Sequence, residues 1–304
     1  MKYLITGSCG FIGGYLYRRL KKEGEVFGLC KKGCGTCDKE GVIGKTSLED
    51  VLDFRPDVVF HLAGQSHVGK SWANLEETYA NNFLATVNLL EALAGARQKP
   101  VFILASSAAV YGAVPERRQP IRETVPPAPL SHYGVSKLAA EEALFFYRRV
   151  FGIKAMAVRL FNQIGPGQKP SFAASSFARA IAEAEKGLRK PIIEVGNLQA
   201  KRDFTDVRDG VEALILLSRK GKTGQVYNLG SGRVYSIGEI LEILLSFSEL
   251  DFKVEVKRAR LRRADIPLLW ADIGKLNRTT GWTPSVPMEK TLLDILNWWR
   301  KEIG

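Results

Sequence analysis

Hydrophobic residues occur in the first half of the chain as short, almost wholly apolar runs that alternate with longer segments of helical periodicity. The short runs predict strands at residues 3–6, 25–30, 57–62, 100–106 and 154–161. The longer segments predict helices at residues 11–22, 48–54, 75–93 and 133–151. Because apolar strands that alternate with helices are typical of a parallel sheet covered on both faces, the pattern predicts an α/β, doubly wound fold.

The pattern changes after Phe161. Residues 162–200 carry glycine and proline turns around a predicted helix at 172–186, and a helix at 207–218 and a strand at 225–229 then return to the sheet. From Gly232 onward come a helix, a basic strand, a proline-containing loop and a closing helix near 288–301. We therefore expect a large domain of residues 1–161 plus about 201–231, and a smaller, mainly C-terminal domain of about 162–200 plus 232–304.

The charge of the chain narrows its possible partners. The 304 residues are 45% hydrophobic and carry a formal net charge of +12, which suits nucleic acid, an anionic membrane surface or anionic small molecules. The densest basic run, residues 253–263, fits a phosphate-binding patch and a solvated strand edge equally well. No recognisable nucleic-acid module accompanies it, so nucleic-acid binding is not expected. The early glycines interrupt any signal-peptide core and no run is long enough to span a bilayer, which predicts a cytoplasmic protein without a membrane partner.

All four cysteines lie within the first 37 residues, where Cys30, Cys34 and Cys37 form a C-x3-C-x2-C run downstream of Cys9. A secreted disulfide framework would spread its cysteines along the chain, so reduced thiols in the cytosol are expected. A zinc or iron–sulfur site at Cys30, Cys34 and Cys37 is the alternative, because their loop is short, glycine-bearing and similar to a zinc knuckle.

A glycine-rich turn, GSCGFIG at residues 7–13, joins the first predicted strand to the first helix. Glycines let the backbone approach a pyrophosphate, and a helix N-terminus supplies free N–H groups, so the turn predicts a dinucleotide-binding loop. The second strand ends at Cys30 and is followed by Lys31 and Lys32. Cations at this point accommodate the 2′-phosphate of NADP, whereas a carboxylate would bind the 2′-hydroxyl of NAD. We therefore expect NADP(H), with NAD(H) as the alternative.

Tyr133 and Lys137 lie four residues apart at the start of a predicted helix, and hence on one of its faces. A phenol titrates near pH ~10, and an ammonium one turn away is expected to lower that pKa. Ser106 and Ser107 end the preceding predicted strand, at the carboxyl edge where doubly wound sheets bind ligands. The set predicts proton transfer at a substrate oxygen beside a nicotinamide.

With these motifs the chain resembles the extended short-chain dehydrogenases/reductases, a Rossmann-like family whose nucleotide-sugar-modifying branch it matches along nearly its whole length. TGSCGFIG, FHLAGQS, SSAAVYG, YGVSK and VRLFNQIGPGQ stand in the family's order. NQIGPGQKPSF, GNLQAKRDFTDVRD, VYNLGSG and RLRRADIPLLWADIGKLNRTTGW most resemble the GDP-4-keto-6-deoxy-mannose reductases of that branch. The resemblance implies a nucleotide-sugar substrate held by the smaller domain. It also implies a homodimer paired through the helices at 75–93 and 133–151.

Matched residue by residue, the resemblance implies roles for individual side chains. The catalytic triad falls on Ser107, Tyr133 and Lys137. The cofactor positions, beside Lys31, fall on Gly7, Gly10, Phe11, Ile12, Gly13, Leu62, Ala63, Gly64 and Asn82, with Tyr133 and Lys137 also facing the nicotinamide end. Substrate contacts fall on Asn162 and Arg202, with Arg260 as a weaker candidate for the diphosphate; a surface salt bridge is the alternative for both arginines.

Two alanines separate the chain from the sugar dehydratases that it also resembles. Those enzymes carry an acidic or polar residue and then a glutamate directly after the triad Ser/Thr, because elimination of water needs an acid and a base. Here the positions hold Ala108 and Ala109. The sequence therefore favours a 4-ketoreductase that passes hydride to C4 of a 4-keto-6-deoxy sugar nucleotide, GDP-linked by resemblance. The alternatives are a 4-epimerase, a dehydratase that recruits Glu116 or Glu123, and a non-catalytic dinucleotide-sensing scaffold.

The chain also departs from the family. The acidic residue that helps to position adenine is replaced near Gly44 and Lys45, and the cysteines have no counterpart that we can assign. Since Cys9 lies in the predicted phosphate loop and Cys30 ends the neighbouring strand, all four sulfurs are expected to lie close together. This predicts a redox- or metal-sensitive adenosine end of the cofactor site.

Overall fold

The computed structural model describes residues 1–31, 33–97, 99–257 and 266–304. Its strands are β1 (Lys2–Thr6), β2 (Glu25–Cys30), β3 (Lys39–Glu40), β4 (Val58–His61), β5 (Val101–Ser107), β6 (Lys154–Leu160), β7 (Asn162–Ile164), β8 (Ile192–Val195), β9 (Lys201–Asp206), β10 (Val226–Leu229), β11 (Val234–Ser236), β12 (Lys253–Val256) and β13 (Leu268–Leu269). Its α-helices are α1 (Phe11–Leu20), α2 (Glu49–Phe54), α3 (Leu75–Tyr79), α4 (Ala85–Ala94), α5 (His132–Phe151), α6 (Ala173–Glu185), α7 (Val207–Lys220), α8 (Ile237–Leu245), α9 (Gly274–Thr280) and α10 (Met288–Ile303).

A parallel sheet of seven described strands lies at the centre, in the order β10-β6-β5-β4-β1-β2-β3. The strand order reverses between β1 and β4, which places the ligand-binding crevice of a doubly wound sheet at their carboxyl ends. Thr6, the last residue of β1, pairs with Leu29 on one side and His61 on the other, so the three strands end at one level. The α/β, Rossmann-like, doubly wound fold predicted from the sequence is confirmed, and each of its six predicted strands is present within one residue.

Both faces of this sheet are covered by helices, because alternate residues of each strand are apolar on opposite faces. In β1, Tyr3 and Ile5 pack with α1 and α7, whereas Leu4 packs with α2, α4 and α5 on the other face. Leu214 and Leu144, both fully buried, represent the helices of the two faces. Each face therefore has its own core, and the strand ends are free to carry the loops that form a site.

A third hydrophobic core lies in the second half of the chain. The helices α6, α8 and α10 bury Ile181, Leu241 and Leu292 against β8 and β9. β9 pairs with β7, β11 and β13, and β8 pairs with β12. The predicted basic strand at 253–263 is represented by β12, and residues 258–265 lie outside the described part of the chain. In the described ranges, no helix combines the length and apolarity that crossing a bilayer requires.

Candidate active site

The glycine turn folds back on itself between β1 and α1. Gly7 has φ +75°, a conformation that favours glycine, and a Cβ there would lie 2.8 Å from the backbone nitrogen of Ala63. A Cβ on Gly13 would overlap the carbonyl oxygen of Gly7, and one on Gly10 would lie 3.0 Å from it. Among the described side chains none caps the first turn of α1, and the buried hydroxyl of Ser8 has no described partner. The turn therefore fits a dinucleotide pyrophosphate, which needs close backbone approach and free donors.

Phe11 and Ile12, the first residues of α1 after this turn, are half-buried against the core beneath it. They complete the predicted pyrophosphate loop as packing residues of the helix start. The turn and the helix thus form one rigid unit above the sheet.

The loop after β4 brings the next group of predicted cofactor residues to the same edge. Leu62 donates its backbone N–H to Thr6, and Ala63 and Gly64 follow directly. A Cβ on Gly64 would lie 2.7 Å from Oδ1 of Asn82 and 3.4 Å from Nζ of Lys137. The structure therefore places this glycine between a predicted cofactor contact and a predicted catalytic lysine.

Asn82 is buried in a π-helical turn, Ala80–Leu84, where the sequence predicts one continuous helix at 75–93. Its Oδ1 accepts the backbone N–H of Gln65 at 2.7 Å, and its Nδ2 donates to the hydroxyl of Ser136 at 3.0 Å. A single π turn covers too few residues for apolar periodicity to reveal it. Single π turns of this kind are frequent at functional sites.

Helix α5 brings Tyr133 and Lys137 to Ser107, the last residue of β5. The helix begins at a side-chain cap, in which Ser131 accepts the backbone N–H of Gly134 at 3.1 Å. A Cβ on Gly134 would lie 2.6 Å from the carbonyl oxygen of Ala109, so glycine lets the first turn of α5 pack directly on the segment after Ser107. All three predicted catalytic residues thus meet at the carboxyl edge of the sheet.

The protonation of this triad differs from the expectation. Burial raises the pKa of Tyr133, and its hydrogen bond with Ser107 offsets part of that rise. The Lys137 ammonium donates to the carbonyl oxygen of Ala105 at 2.8 Å, and burial lowers its pKa to about 8. The net lowering of the Tyr133 pKa expected from the sequence is therefore wrong for this structure, because burial of the hydroxyl outweighs the effect of the ammonium, which strand β5 holds. A phenol that keeps its proton is suited to donate it.

A buried ion pair behind the triad was missed by the sequence interpretation. Glu141, one turn after Lys137, receives three hydrogen bonds from Arg159, the two shorter ones at 2.7 Å to Oε2 and 3.0 Å to Oε1. It also accepts the hydroxyl of Ser106. The signal available was the spacing of Glu141, four residues beyond Lys137 on the same helix face. Because Ser106 is engaged by Glu141, Ser107 is the serine left beside the phenol.

The positions that hold an acid and a base in sugar dehydratases are apolar here. Ala108 is buried and Ala109 is half-buried directly after Ser107. Glu123, one alternative carboxylate, accepts the backbone N–H of Asn228 in β10 at 2.9 Å. Glu116, the other, is exposed in the short turn Glu116–Arg118. The described site therefore offers a proton donor and hydrogen-bond donors, but neither of these carboxylates is arranged over it.

Two predicted substrate contacts lie in the second sheet. Asn162 begins β7 and pairs with Phe204 of β9, two residues beyond Arg202 on that strand. Arg202 is largely buried and donates from Nη1 to the carbonyl oxygen of Lys201 at 2.8 Å. The structure thus brings both residues onto adjoining strands. Arg260 lies outside the described residues.

At the predicted adenosine end, Lys31 is exposed and pairs with Glu77 at 3.5 Å; Lys32 lies outside the described residues. The four cysteines lie together, as expected, in the disulfides Cys9–Cys34 and Cys30–Cys37. The expectation of reduced thiols is not met in this structure, because the phosphate loop and the end of β2 bring the sulfurs within bonding reach.

Known proteins resemble the chain over its full length. The sequence model of the GDP-mannose 4,6 dehydratase family matches residues 42–295. The GDP-6-deoxy-D-mannose reductase of Pseudomonas aeruginosa is 35% identical over 302 residues, covering 99% of this chain and 98% of that protein. The structure of RMD from Pseudomonas aeruginosa complexed with NADPH superposes with a TM-score of 0.88 at 33% identity, covering 99% of both chains. The UDP-glucose 4-epimerase of Thermotoga maritima with UDP-glucose gives 0.89 at 27% identity, covering 100% of both. The chain belongs to the GDP-mannose 4,6 dehydratase family, within the extended short-chain dehydrogenases/reductases.

Proposed function

We propose that this chain is a nucleotide-sugar 4-ketoreductase, which uses NADPH to reduce C4 of a GDP-linked 4-keto-6-deoxy sugar. One observation carries the proposal: the buried phenol of Tyr133 bonds Ser107, and the two residues directly after Ser107 are Ala108 and Ala109. Such a site can donate a proton to a developing alkoxide but lacks the acid and base of elimination. The similarity to the Pseudomonas aeruginosa reductase supports the GDP-linked substrate.

When bound at the glycine turn, the dinucleotide would supply the hydride. Three side chains of the chain itself, those of Ser107, Tyr133 and Lys137, have the remaining tasks in this reaction. Ser107 donates a hydrogen bond to the C4 carbonyl oxygen, and Tyr133 passes its proton to that oxygen as negative charge develops. Lys137, held between Ala105 and Gly64, places a cation beside the phenolate that remains and toward the cofactor ribose.

Binding roles follow from the same proposal. Gly7, Gly10 and Gly13 admit the pyrophosphate, and Leu62–Gly64 with Asn82 border the ribose and adenosine. We assign the 2′-phosphate to Lys31, whose exposed pairing with Glu77 supports this role because it can be exchanged for the phosphate. Asn162 and Arg202 contact the sugar nucleotide, where a forked cation suits a diphosphate. The RMD complex with NADPH supports NADPH as the preferred reductant.

We also propose that the chain has two domains, one for the cofactor and one for the substrate, and that it forms a homodimer. Residues 1–161 plus about 201–231 bind the dinucleotide, and about 162–200 plus 232–304 bind the substrate. The separate third core supports this division; because β9 lies in the second sheet, we propose that the chain returns to the dinucleotide-binding domain near Val207 rather than at residue 201. Exposed apolar side chains on α5 and beside α4, Leu84, Phe146 and Val150, support a homodimer through these helices. A cytoplasmic location remains part of the proposal.

A 4-epimerase is the second candidate, because the Thermotoga maritima epimerase shares the whole fold. An epimerase retains its dinucleotide and returns the hydride to the other face of the sugar, so it shows no net cofactor oxidation. The triad supports both reactions. The exposed Lys31 at the adenosine end favours a dissociating NADPH and hence net reduction.

The test is stoichiometric. Purified protein is given NADPH or NADH with GDP-, UDP- and dTDP-linked 4-keto-6-deoxy sugars, and cofactor oxidation is followed together with the sugar product. We expect NADPH oxidation that requires the GDP-linked keto-sugar, one equivalent per hydroxyl formed. Oxidation that is independent of any keto-sugar rejects the substrate class, and interconversion of 4-hydroxyl epimers without net oxidation establishes the epimerase instead.

A matched pair of variants separates an enzyme from a dinucleotide-binding scaffold. Tyr133→Phe is expected to reduce turnover by about 10²–10⁴-fold and to leave NADPH binding unchanged, as removal of a general acid does. Tyr147→Phe on the same helix removes a hydroxyl that donates to Glu91 and should keep full turnover.

A further inference from the structure

Three cysteine sulfurs, of Cys9, Cys30 and Cys34, lie close together beside the glycine turn, and Cys37 is joined to Cys30; we call Cys9, Cys30, Cys34 and Cys37 the cysteine cluster. Cys9 lies within the turn, Cys30 is the last residue of β2, and the other two lie in the loop before β3. Sγ of Cys9 lies 2.8 Å from Sγ of Cys30, although the two belong to different disulfides. The sulfurs of Cys9, Cys30 and Cys34 all lie within 4.8 Å of one another.

Two separate disulfide crosslinks do not require their sulfurs to lie in contact with each other, as these do. One disulfide already joins the turn to the loop, and the second lies so near that sulfurs of the two pairs touch. Four thiolates around one zinc ion at about 2.3 Å would stand about 3.8 Å apart, a spacing that fits within the 4.8 Å separating the sulfurs of Cys9, Cys30 and Cys34. In the reduced chain, side-chain rotations that include Cys37, now bonded to Cys30, would complete a tetrahedral ligand set.

The backbone supplies the geometry of a thiolate site. Cys34 and Cys37 are separated by two residues, and the N–H of Cys37 donates to the carbonyl oxygen of Cys34 at 3.1 Å, which closes a turn between the two cysteines. The buried Thr36 between them donates its hydroxyl to the carbonyl oxygen of Ser8 at 2.9 Å. The loop is thereby docked on the glycine turn with the sulfur of Cys9 opposite, so the ligands are largely arranged before an ion arrives.

The charge of the loop also suits a metal thiolate. A zinc ion with four thiolates carries a net charge of −2, which must be compensated where it is partly removed from water. Residues 30–39 contain three lysines and one aspartate, three minus one giving +2 in the sequence.

We infer that the reduced cysteine cluster binds one zinc ion through the sulfurs of Cys9, Cys30, Cys34 and Cys37, and so ties the glycine turn to the loop after β2. On binding, four thiols release four protons to water and donate four lone pairs to the ion; no electron is transferred. The disulfide form arises when the four zinc-bound thiolates give four electrons to two equivalents of a small disulfide; two protein disulfides form, the oxidant leaves as four thiolates, and the ion is released. The inference concerns metal binding and is independent of the proposed reductase activity.

The first experiment measures metal in the full chain. Protein is purified with a thiol reductant and without oxygen, supplied with zinc and freed of excess ion, and its metal content is determined by mass spectrometry. We expect one zinc per chain, and Co²⁺ in its place should give the sulfur-to-cobalt and visible bands of a tetrahedral tetrathiolate. Iron with acid-labile sulfide, or no retained zinc or cobalt in protein with four free thiols, overturns the inference.

Variants and thiol reactivity complete the test. The double variant Cys34→Ser, Cys37→Ser is expected to lose zinc affinity by more than tenfold, whereas Gly35→Ala, whose added Cβ meets no described atom, retains one zinc. If the double variant does not fold, thiol reactivity of the wild-type chain tests the zinc site instead. Zinc must protect its thiols from a thiol-reactive dye, and a chelator must restore their reactivity; equal reactivity with and without zinc overturns the site.

Discussion

Two neighbouring serines end β5, and their partners give them different tasks. Ser106 is buried and donates to Glu141, which is in turn held by Arg159. Ser107 is half-buried and bonds the phenol of Tyr133. A hydroxyl committed to a buried carboxylate is not available to a substrate, so the ion pair selects the second serine.

At this scale the pKa of Lys137 predicts a pH profile. Burial lowers that pKa to about 8, so the ammonium is present below pH 8 and is lost as the pH rises above it. Because the cation stabilises the phenolate formed at Tyr133, turnover should be level near neutrality and fall up to tenfold per pH unit above about pH 8. Rates across pH 6–10 with saturating substrates test this.

The control for this profile is Lys137→Arg. A guanidinium stays protonated throughout this range, so the variant should be slower overall but should lose the alkaline decline. An unchanged decline in the variant would assign the titration to another group.

At the scale of elements, the junction of β1 and α1 depends on glycines, which have no Cβ. Gly13→Ala places a Cβ against the carbonyl oxygen of Gly7 and must displace the turn. We expect at least a tenfold rise in the Kd for NADPH, measured by fluorescence titration, with α1 itself retained. Backbone N–H groups bind phosphate only when the chain can approach it.

The neighbouring glycine provides the control for this prediction. A Cβ on Gly14 would lie 3.4 Å from the flexible Arg18 side chain, and alanine favours a helix. Gly14→Ala should therefore bind NADPH as the wild-type chain does. Equal weakening by both variants would mean that the turn is not the pyrophosphate site.

At the scale of the whole molecule, apolar side chains on α5 and beside α4 lack a described cover. Phe146 and Val150 are 46% and 58% exposed on one face of α5. The double variant Phe146→Asp, Val150→Asp should convert a homodimer into a 33.7 kDa monomer in light scattering. Leu188→Asp, at an exposed apolar residue of the other half, should leave the mass unchanged, and a wild-type monomer would reject the proposed interface.

Acid stability is also a property of the whole chain. Burial lowers the pKa of His61 to about 3, and its ring bonds the hydroxyls of Thr6 and Thr86 at 2.7 and 2.9 Å. Between pH 6.5 and pH 3, His61 is protonated in the unfolded chain but neutral in the folded chain. The free energy of unfolding therefore falls by about 1 kcal/mol per pH unit as the pH is lowered through this range.

Urea unfolding of the wild-type chain and of His61→Gln between pH 4.5 and 7 isolates this contribution. The variant keeps a polar side chain but has no titrating ring, so its stability should fall less steeply toward acid. Parallel slopes in the two proteins would show that His61 is not the group responsible.

The sequence by itself determined the parallel sheet, the glycine turn and the candidate triad. Apolar runs indicate buried strands, glycines indicate a close backbone turn, and a four-residue spacing places two side chains on one helix face, all of which depend on neighbouring residues. It also held the alanines at 108 and 109, whose meaning needs no coordinates. Tertiary structure alone decided the direction of the Tyr133 pKa shift, the hydrogen bond that commits Ser106 to Glu141, the π turn at Asn82 and the joining of the four cysteines. Burial and contacts between distant segments set these features, and neither is encoded in the spacing of neighbouring residues.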